Sequence, residues 1–375
     1  MIKQEPATLT AQDGVRFPVT LHHDDATPRK TAFLIMHPTS DWQNHFILPF
    51  LVQRGFAALG CANRYSNREA ELQLEETVLD WGACVDHLRA KGFRTVIGIG
   101  NSGGGEIVTC YQAQAVHPTL TGTPTGDPPD FTKVKLSPMD GIVMLNAHAG
   151  RPLSLTQSLD PSVGGESGND PLHYDAALDM YNPKNGPPYS PEFVARYRAA
   201  QIERNHKITR WCRQAIEKIR AAGNPLMKDL TFIVHRTDAS LLFLDKSLDP
   251  SDRSGLTIWD EDPRVANYTP GPLRGPRTRL RVMTARSWLS QRSLEASQFE
   301  VSRYLPDCKV PTIVLCGTAD AIGPEHSRMT FEGSPDPGKK LVWIKDGTHF
   351  MRGQEDKQAE VADAIAGWAR ERGLA

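Results

Sequence analysis

A serine flanked by glycines, in the stretch Gly100-Asn101-Ser102-Gly103-Gly104, is the part of the sequence best suited to chemistry. It has the Gly-x-Ser-x-Gly pattern of a serine on a sharp turn between a strand and a helix. Such a turn strains the backbone of the serine, and glycine neighbours let the strand and the helix approach closely. The hydroxyl then stands near the positive end of a helix, where it could act as a nucleophile. A glycine-rich turn that only packs a helix on a sheet is the alternative.

A serine hydroxyl becomes an effective nucleophile only when a base removes its proton and an acid orients that base. Two later loops offer these groups, because Asp320 and His349 each follow an apolar run. We therefore predict Ser102 as nucleophile, His349 as general base and then acid, and Asp320 as the group that orients the imidazole. Either loop residue alone is more often structural, but three in this order are harder to explain that way. Asp346 is the alternative acid, although a role in the turn of its own loop is more natural.

The tetrahedral intermediate of such a reaction needs backbone N–H groups that point at its oxyanion. We predict that Gly103, directly after the serine, supplies one of them. Thr39, which follows another apolar run, is predicted to supply the second, with Ser40 in reserve. Pro38 has no N–H to donate. An ordinary turn at the end of a strand is the alternative explanation of this segment.

The segments around these residues alternate between strand and helix patterns. The apolar runs that predict strands cover residues 15–21, 31–36, 55–60, 95–99, 141–145, 310–316 and 340–344. Alternation of this kind requires a largely parallel sheet with helices on both faces. Every candidate residue follows a predicted strand, at the edge of the sheet where ligands bind in such folds.

The alternation is lost between about residues 151 and 305. This segment contains Gly/Pro/Asp-rich loops, a long helical pattern over 191–222 and a further helix predicted over 281–304. We predict a first part of the core over residues 1–150, a mainly helical and loop-rich lid over 151–305, and the last part of the core over 306–375.

Three motifs of the sequence resemble those of the α/β-hydrolase superfamily: Gly100-Asn101-Ser102-Gly103-Gly104, Gly317-Thr318-Ala319-Asp320 and Gly347-Thr348-His349. The resemblance covers roughly residues 5–150 and 305–375. It implies an α/β-hydrolase fold with a mostly parallel, eight-stranded sheet, and a lid inserted after the sixth strand. His37-Pro38 departs from the common His-Gly motif of the oxyanion loop. A serine at position 102 argues against haloalkane dehalogenases and epoxide hydrolases, whose nucleophile is an aspartate.

The predicted residues and the resemblance together imply a cofactor-independent serine hydrolase. It would cleave a carboxylic ester, a lactone or a thioester through an acyl-enzyme on Ser102. Hydrolysis of an amide or of a carbon–carbon bond on the same three residues stays open, as does a non-catalytic binding protein of this fold. The lid would supply specificity. The candidate substrate contacts are Ser40, Trp42, Arg64 and His148, with structural packing as the alternative for Trp42 and Arg64.

An arginine-rich stretch lies in the predicted lid, where no acidic residue occurs between Asp262 and Glu295. Its arginines are Arg264, Arg274, Arg277, Arg279, Arg281, Arg286 and Arg292. They could recognise a carboxylate or a phosphate of the substrate. A solvated face or a subunit contact is the interpretation that a run of like charges favours.

Composition restricts the partners further. The 43 basic and 44 acidic residues nearly balance, which gives no reason to expect binding to nucleic acid or to an acidic membrane surface. No apolar run approaches the length of a membrane span, and the amino terminus has no apolar signal segment. The six scattered cysteines form no Cys-x-x-Cys pair and are typical of small buried hydrophobes. We expect a cytoplasmic protein with a small-molecule substrate, and a homo-oligomer stays open.

No cluster of histidine, cysteine or carboxylate residues has the spacing of a metal site. The glycines around Ser102 match part of a dinucleotide-binding pattern, but the acidic residue that should follow it is missing. We therefore expect neither a metal nor a cofactor.

Overall fold

The computed structural model describes residues 1–26, 30–237, 239–248, 279–320 and 323–375. In this part of the chain the strands are β1 (Lys3–Thr10), β2 (Arg16–His23), β3 (Thr31–Ile35), β4 (Ala57–Cys61), β5 (Thr95–Asn101), β6 (Gly141–Leu145), β7 (Val163–Gly164), β8 (Asp170–Tyr174), β9 (Thr231–Thr237), β10 (Arg279–Thr284), β11 (Thr312–Gly317) and β12 (Lys340–Ile344). The α-helices are α1 (Ile47–Gln53), α2 (Leu74–Ala90), α3 (Gly104–Val116), α4 (Arg151–Thr156), α5 (Pro191–Ala222), α6 (Ala285–Gln291), α7 (Val301–Tyr304), α8 (Gly323–Gly333) and α9 (Glu355–Glu371).

Eight of the strands form one sheet in the order β1-β2-β4-β3-β5-β6-β11-β12. The hairpin β1–β2 and the pair β2–β4 are antiparallel, and all other neighbours are parallel. The predicted mostly parallel, eight-stranded sheet is thus confirmed. Since parallel strands end at the same edge, the residues that follow β3, β5, β6, β11 and β12 are brought together there.

Helices cover both faces of the sheet, which explains why its central strands are apolar without alternation. In β3, Leu34 contributes to the core under α2 and α3, which includes Trp81. Phe33, one residue earlier, contributes to the opposite core under α1 and α9, which includes Trp368. Neighbouring residues of a strand point to opposite faces, so both faces of the central strands are buried. The cores on the two sides hold the strand ends rigidly.

Between β6 and β11, the described residues add no strand to this sheet. They form α4 to α7 and two small antiparallel sheets, β7–β8 and β9–β10, which were not predicted. The long helix α5 has the predicted bounds. It begins after Ser190, whose side chain accepts a hydrogen bond from the N–H of Phe193 at 3.2 Å, and ends at Gly223 with φ of 65°.

The helix predicted over 281–304 is wrong at its start and in its middle, where residues 292–300 form no helix between α6 and α7. Residues 279–284 form β10, which pairs with β9 about fifty positions earlier in the chain, and helix begins only at Ala285. Thr284 caps that helix by accepting a hydrogen bond from the N–H of Ser287 at 3.2 Å. Pairing with a distant strand decides such a segment, and a local pattern of residues does not report it. The proposed division into core and lid stays a prediction.

All six cysteines are buried and free, as expected for small hydrophobic residues. Within the described ranges, no helix has both the length and the apolar character needed to cross a membrane.

Candidate active site

The turn between β5 and α3 holds Ser102 in a left-handed conformation, with φ of 53°. Its backbone N–H donates to the carbonyl of Leu145 in β6 at 3.2 Å. The side chain of the preceding residue, Asn101, donates to the same carbonyl at 2.6 Å and contacts Nε2 of His45 at 3.1 Å. The neighbouring strand and a buried polar pair therefore hold the strained turn in place.

Glycine is required on both sides of this serine. A Cβ atom on Gly104 would lie 2.7 Å from the carbonyl oxygen of Met36, and one on Gly100 would lie 2.6 Å from Val108 Cγ1. Contacts this short would push the strand and the helix apart. The glycines thus permit the close approach that the sequence pattern predicted.

Hydrogen bonds connect Ser102, His349 and Asp320 in a chain. Nε2 of His349 lies 2.9 Å from Ser102 Oγ, and Nδ1 of the same ring lies 2.7 Å from Asp320 Oδ2. Asp320 is 2 % exposed and Ser102 is 5 % exposed. Asp346 makes no hydrogen bond to His349 in the described residues. It occupies a turn with φ of 57°, and its N–H donates to Thr318 Oγ1 at 2.9 Å.

A buried asparagine at the end of β6 connects the loops that carry this chain. The side-chain amide of Asn146 donates to the carbonyls of Thr348 and His349 at 3.2 and 2.9 Å. Its oxygen accepts a hydrogen bond from the N–H of Gly317 at 2.8 Å. Asn146 thus sets the separation between the histidine loop and the end of β11, which leads to Asp320.

His148 lies on the other side of the serine hydroxyl. Its Nε2 is 3.4 Å from Ser102 Oγ, and its ring stacks on His349 with 5.7 Å between the centroids. Burial and the neighbouring His349 lower the pKa of His148 well below its ordinary value, so the ring is neutral at physiological pH. Two imidazoles thus face the serine, and His349 is the one whose Nδ1 contacts a carboxylate.

The loop after β3 is arranged differently from the expectation. The N–H groups of Thr39 and Ser40 both donate to Nδ1 of His37, each at 3.2 Å. These two predicted oxyanion donors therefore serve to hold the imidazole. Burial and the charge of Arg151 lower the pKa of His37 well below its ordinary value. In a neutral ring whose Nδ1 is an acceptor, the proton is on Nε2.

Trp42 contacts the back of this loop. Its ring lies 4.5 Å from that of His37 and 4.6 Å from that of His45, between centroids. The indole is 8 % exposed and belongs to the core beneath the site. Trp42 therefore has a packing role, which was the alternative to a substrate contact.

Arg64 is not brought to the serine. Its guanidinium pairs with Asp13, Glu76 and Asp80, and its side chain is 5 % exposed. Burial raises the pKa of Asp80 to about 6, although the arginine opposes this shift. In the described part of the chain, all side-chain hydrogen bonds of Arg64 go to these carboxylates, so it has a structural role.

A second group of charged residues borders the site, and we call it the arginine cluster: Arg151, Arg281 and Arg292 around Glu69. The Glu69 carboxylate contacts Arg151 at 2.8 Å and both other arginines at 3.1 Å. Burial alone would raise the pKa of Glu69, but the three guanidinium charges outweigh it and lower the pKa to about 2. The sequence pattern did not indicate Glu69 or Arg151.

The arginine-rich stretch is only partly a solvated face. The Arg292 side chain is 4 % exposed. That of Arg286 is 14 % exposed and pairs with Asp127. The solvated-face interpretation is therefore wrong for these two. Arg264, Arg274 and Arg277 lie outside the described residues.

Three residues of the site that were not predicted, Asn146, Arg151 and Glu106, have recognisable signals in the sequence. Arg151 and Asn146 lie within six positions of each other after β6, where polar residues directly follow an apolar run. Glu106, in α3 four residues after the serine, is completely buried, and its carboxylate accepts a hydrogen bond from the backbone N–H of Arg151. A charged residue inside an apolar helix pattern was the available signal.

The described residues contain no group of three or more histidine, cysteine, aspartate or glutamate side chains that could hold a metal ion.

No protein-family model matches the sequence, and no curated protein matches it. Solved structures do. The α/β hydrolase GrgF from Penicillium sp. sh18 superposes with a TM-score of 0.54 at 10 % identity, covering 99 % of both chains. DcsB, in complex with its substrate analogue, superposes with a TM-score of 0.54 at 12 % identity, also over 99 % of both chains. With its eight-stranded sheet and its serine turn after β5, the chain has the α/β-hydrolase fold.

Proposed function

We propose that the protein is a serine hydrolase that cleaves carboxylic esters through an acyl-enzyme on Ser102. The observation that carries this proposal is the hydrogen-bonded chain from Ser102 Oγ through the His349 ring to Asp320, with distances of 2.9 and 2.7 Å. A nucleophile, a base and an orienting acid within hydrogen-bond reach are what acyl transfer needs. The fold comparison is consistent with this chemistry, but function depends on the site itself.

In the first half of the reaction, Ser102 Oγ attacks the ester carbonyl carbon and its proton passes to Nε2 of His349. The tetrahedral intermediate then collapses as the imidazolium returns this proton to the leaving alcohol. In the second half, His349 removes a proton from a water molecule, which attacks the acyl-enzyme and releases the acid. Asp320 holds Nδ1–H and stabilises the imidazolium in both halves.

The oxyanion is stabilised by the N–H of Gly103 and by Nε2–H of His37. Gly103 is the N-cap of α3, where backbone N–H groups lack partners within the helix. Nε2 of His37 lies 3.3 Å from the point that a Cβ on Gly103 would occupy. In this assignment, Thr39 and Ser40 contribute indirectly. Their N–H groups donate to Nδ1 of His37 and so favour the tautomer that has its proton on Nε2.

Residues 151–305 are proposed as the lid that shapes the substrate pocket. Gln291 in α6 donates a hydrogen bond to the backbone carbonyl of Glu69 at 3.0 Å, which connects this segment to the core beside the site. His148 is proposed to contact the substrate next to the serine.

A fluorophosphonate probe tests the proposal directly, because it reacts only with an activated serine. We expect covalent labelling that maps to Ser102 by mass spectrometry, and loss of the label in Ser102→Ala. Turnover of p-nitrophenyl esters of increasing chain length should be lost in the same variant. Absence of labelling, or equal labelling of the variant, would contradict the proposed function.

A further inference from the structure

The hydrogen bond between His148 and the serine has a defined direction. Nδ1–H of His349 donates to Asp320, so Nε2 of this neutral ring has no proton and accepts the one on Ser102 Oγ. Since the hydroxyl has only that proton, Oγ can only accept from its second neighbour. The contact of 3.4 Å with His148 is therefore a donation from Nε2–H of His148 to Oγ. Hydrogen bonds of catalytic groups are often long before the substrate binds and shorten in the reacting complex.

The backbone of the serine turn fixes the position of His148. Its N–H donates to the carbonyl of Ser102 at 2.9 Å. Its own carbonyl oxygen lies 3.3 Å from the point that a Cβ on Gly105 would occupy, so it packs closely on the start of α3. The N–H of the next residue, Ala149, donates to Nδ1 of His326 at 3.3 Å. The backbone is thus held on both sides of the ring, which keeps Nε2 beside Oγ.

The surroundings of His148 keep its ring neutral. Burial lowers its pKa, and basic groups that face the ring lower the pKa further: His349, His326, Arg151 and His37. Within the described residues, no carboxylate forms an ion pair with this ring. Such an imidazole is too weak a base to take the serine proton, but its N–H is still a hydrogen-bond donor.

A donor to Oγ accelerates only those steps in which its hydrogen bond becomes stronger than it was in the ground state. In acylation, Oγ accepts this bond already as the free hydroxyl, so the bond contributes about equally to ground state and transition state. In the acyl-enzyme, Oγ is an ester oxygen and a poor acceptor. When the bond between carbon and Oγ breaks in deacylation, negative charge develops on Oγ and the hydrogen bond becomes charge-assisted.

We propose that His148 is a catalytic residue that speeds release of Ser102 from the acyl-enzyme, by donating Nε2–H to Oγ as the bond between carbon and Oγ breaks. This inference rests on the proposed ester hydrolysis and adds a residue to its second half. The attacking water forms the new C–O bond and gives one proton to Nε2 of His349. The electron pair of the broken bond goes to Oγ, which then receives that proton from His349. His148 keeps its own proton throughout.

Pre-steady-state kinetics of His148→Phe with p-nitrophenyl acetate test this step. p-Nitrophenol is a good leaving group, so acylation is fast and deacylation limits turnover. Phenylalanine keeps a ring in place but donates no hydrogen bond. We expect the burst of p-nitrophenol, which reports acylation, to keep its rate within about threefold. The steady-state rate should fall by about 10- to 100-fold, the contribution of a hydrogen bond to a charged group.

The steady-state constants separate this role from a contact that only binds the substrate. When deacylation alone slows, kcat and KM fall together, and kcat/KM, which reports acylation, is unchanged. Loss of a contact to the substrate would raise KM. Mass spectrometry of the intact His148→Phe protein should show acetylated Ser102 during turnover. His148→Gln, whose amide N–H can take the place of Nε2–H, should restore most of the turnover.

His326→Asn is the matched control. The ring of His326 contacts that of His148 edge-on, with 6.3 Å between the centroids, but makes no hydrogen bond to Ser102. The asparagine oxygen can accept the N–H of Ala149 in place of Nδ1. Turnover should stay within about threefold of the unmodified enzyme. A loss as large as that in His148→Phe would show that packing of the imidazole, and not its N–H, sets the rate, which would overturn the inference.

NMR of the histidine side chains in the unmodified enzyme covers the case in which His148→Phe does not fold. We expect a neutral His148 ring with its proton on Nε2 at neutral pH, and a charged ring or a proton on Nδ1 would overturn the inference. Equal slowing of burst and steady state in a folded His148→Phe, or no slowing of either, would do the same. Fluorophosphonate labelling of Ser102 and ester turnover by the unmodified enzyme would show that the proposed function survives such a result.

Discussion

The two sides of the site differ in how they are assembled. On one side, Ser102, Asp320 and His349 each follow a strand of the same sheet, and parallel strands bring such residues to one edge. On the other side, the arginine cluster combines a residue after β6, a 3-10 helix at Glu69–Glu71 and two residues from the segment before β11. The first side follows from topology, whereas the second exists only through contacts between distant segments. We assign the proposed chemistry to the first side.

The largest effect is expected from Asp320→Asn, which breaks the first side. An asparagine in this place would favour the wrong tautomer of His349, so kcat for a p-nitrophenyl ester should fall by about 10⁴-fold. Asp346→Asn is the matched control, because Asp346 lies on the histidine loop without contacting the ring. Steady-state kinetics of both variants decide between the two acids, and a larger loss in Asp346→Asn would reverse the assignment.

His37→Asn tests the residue that lies between the two sides. The asparagine oxygen can still accept the N–H groups of Thr39 and Ser40, but no donor reaches the space beside Gly103. We expect kcat to fall by roughly 10²- to 10³-fold with little change in KM, the usual cost of one oxyanion donor. Thr39→Val, which keeps the backbone N–H, should stay within about threefold of the unmodified enzyme. Unchanged kcat in His37→Asn would restore the backbone of Thr39 as the donor.

Glu106→Gln tests the electrostatics of the second side through the pH dependence of stability. The pKa of Glu106 is raised to about 8 in the folded protein, above the ordinary value of 4.5, so the folded state binds its proton more tightly than the unfolded state. Stability is therefore lost as pH rises between these values. Between pH 5 and pH 7, the titration of this carboxyl should lower the free energy of unfolding by about 2 to 3 kcal/mol. The glutamine of the variant does not titrate, so its free energy of unfolding should not show this decrease.

Urea unfolding of both proteins at the two pH values measures this difference. Glu75, which is also buried with a pKa raised to about 7, stays in both proteins and cancels in the comparison. Equal pH dependence in the two proteins would show that Glu106 is ionised beside Arg151, which would then be fully compensated.

The smallest effect is expected from Arg281→Gln, at the rim of the arginine cluster. Its side chain is 38 % exposed, and Glu69 keeps Arg151 and Arg292 as partners. We expect a loss of less than about 1 kcal/mol in the free energy of unfolding, as for other exposed ion pairs. Arg292→Gln, at a side chain that is 4 % exposed, should cost more. Thermal unfolding of the two variants gives the order, and equal losses would show that burial does not decide the contribution of a cluster arginine.

Much of the fold could be predicted from the sequence because its signals are local. The strand Gly141–Leu145 and the helix Pro191–Ala222 have the predicted bounds. Buried parallel strands appear as apolar runs, and a long amphipathic helix repeats its apolar face every turn. Residues 281–284 were mispredicted as helix because β9, the pairing partner of their strand, lies far away in the chain.

The positions of the candidate residues followed partly from the same reasoning. Ser102, Asp320 and His349 could be named, because each lies within five residues after an apolar run that forms a strand. Ser40, Trp42 and Arg64 were candidates only through their place in loops after strands. The structure assigns packing to Trp42, and Arg64 to an ion cluster with Asp80.

The sequence by itself determined the serine turn and the polar residues that follow the strands, and hence the candidate nucleophile, base and acid. The turn depends on local backbone geometry, and the meeting of the three residues follows from the rule that parallel strands end at the same edge. Only the tertiary structure decided that Asp320 rather than Asp346 contacts His349, and that Arg151, Arg281 and Arg292 surround Glu69. These are contacts between side chains from distant segments. Their distances depend on how the elements pack, which no local pattern records.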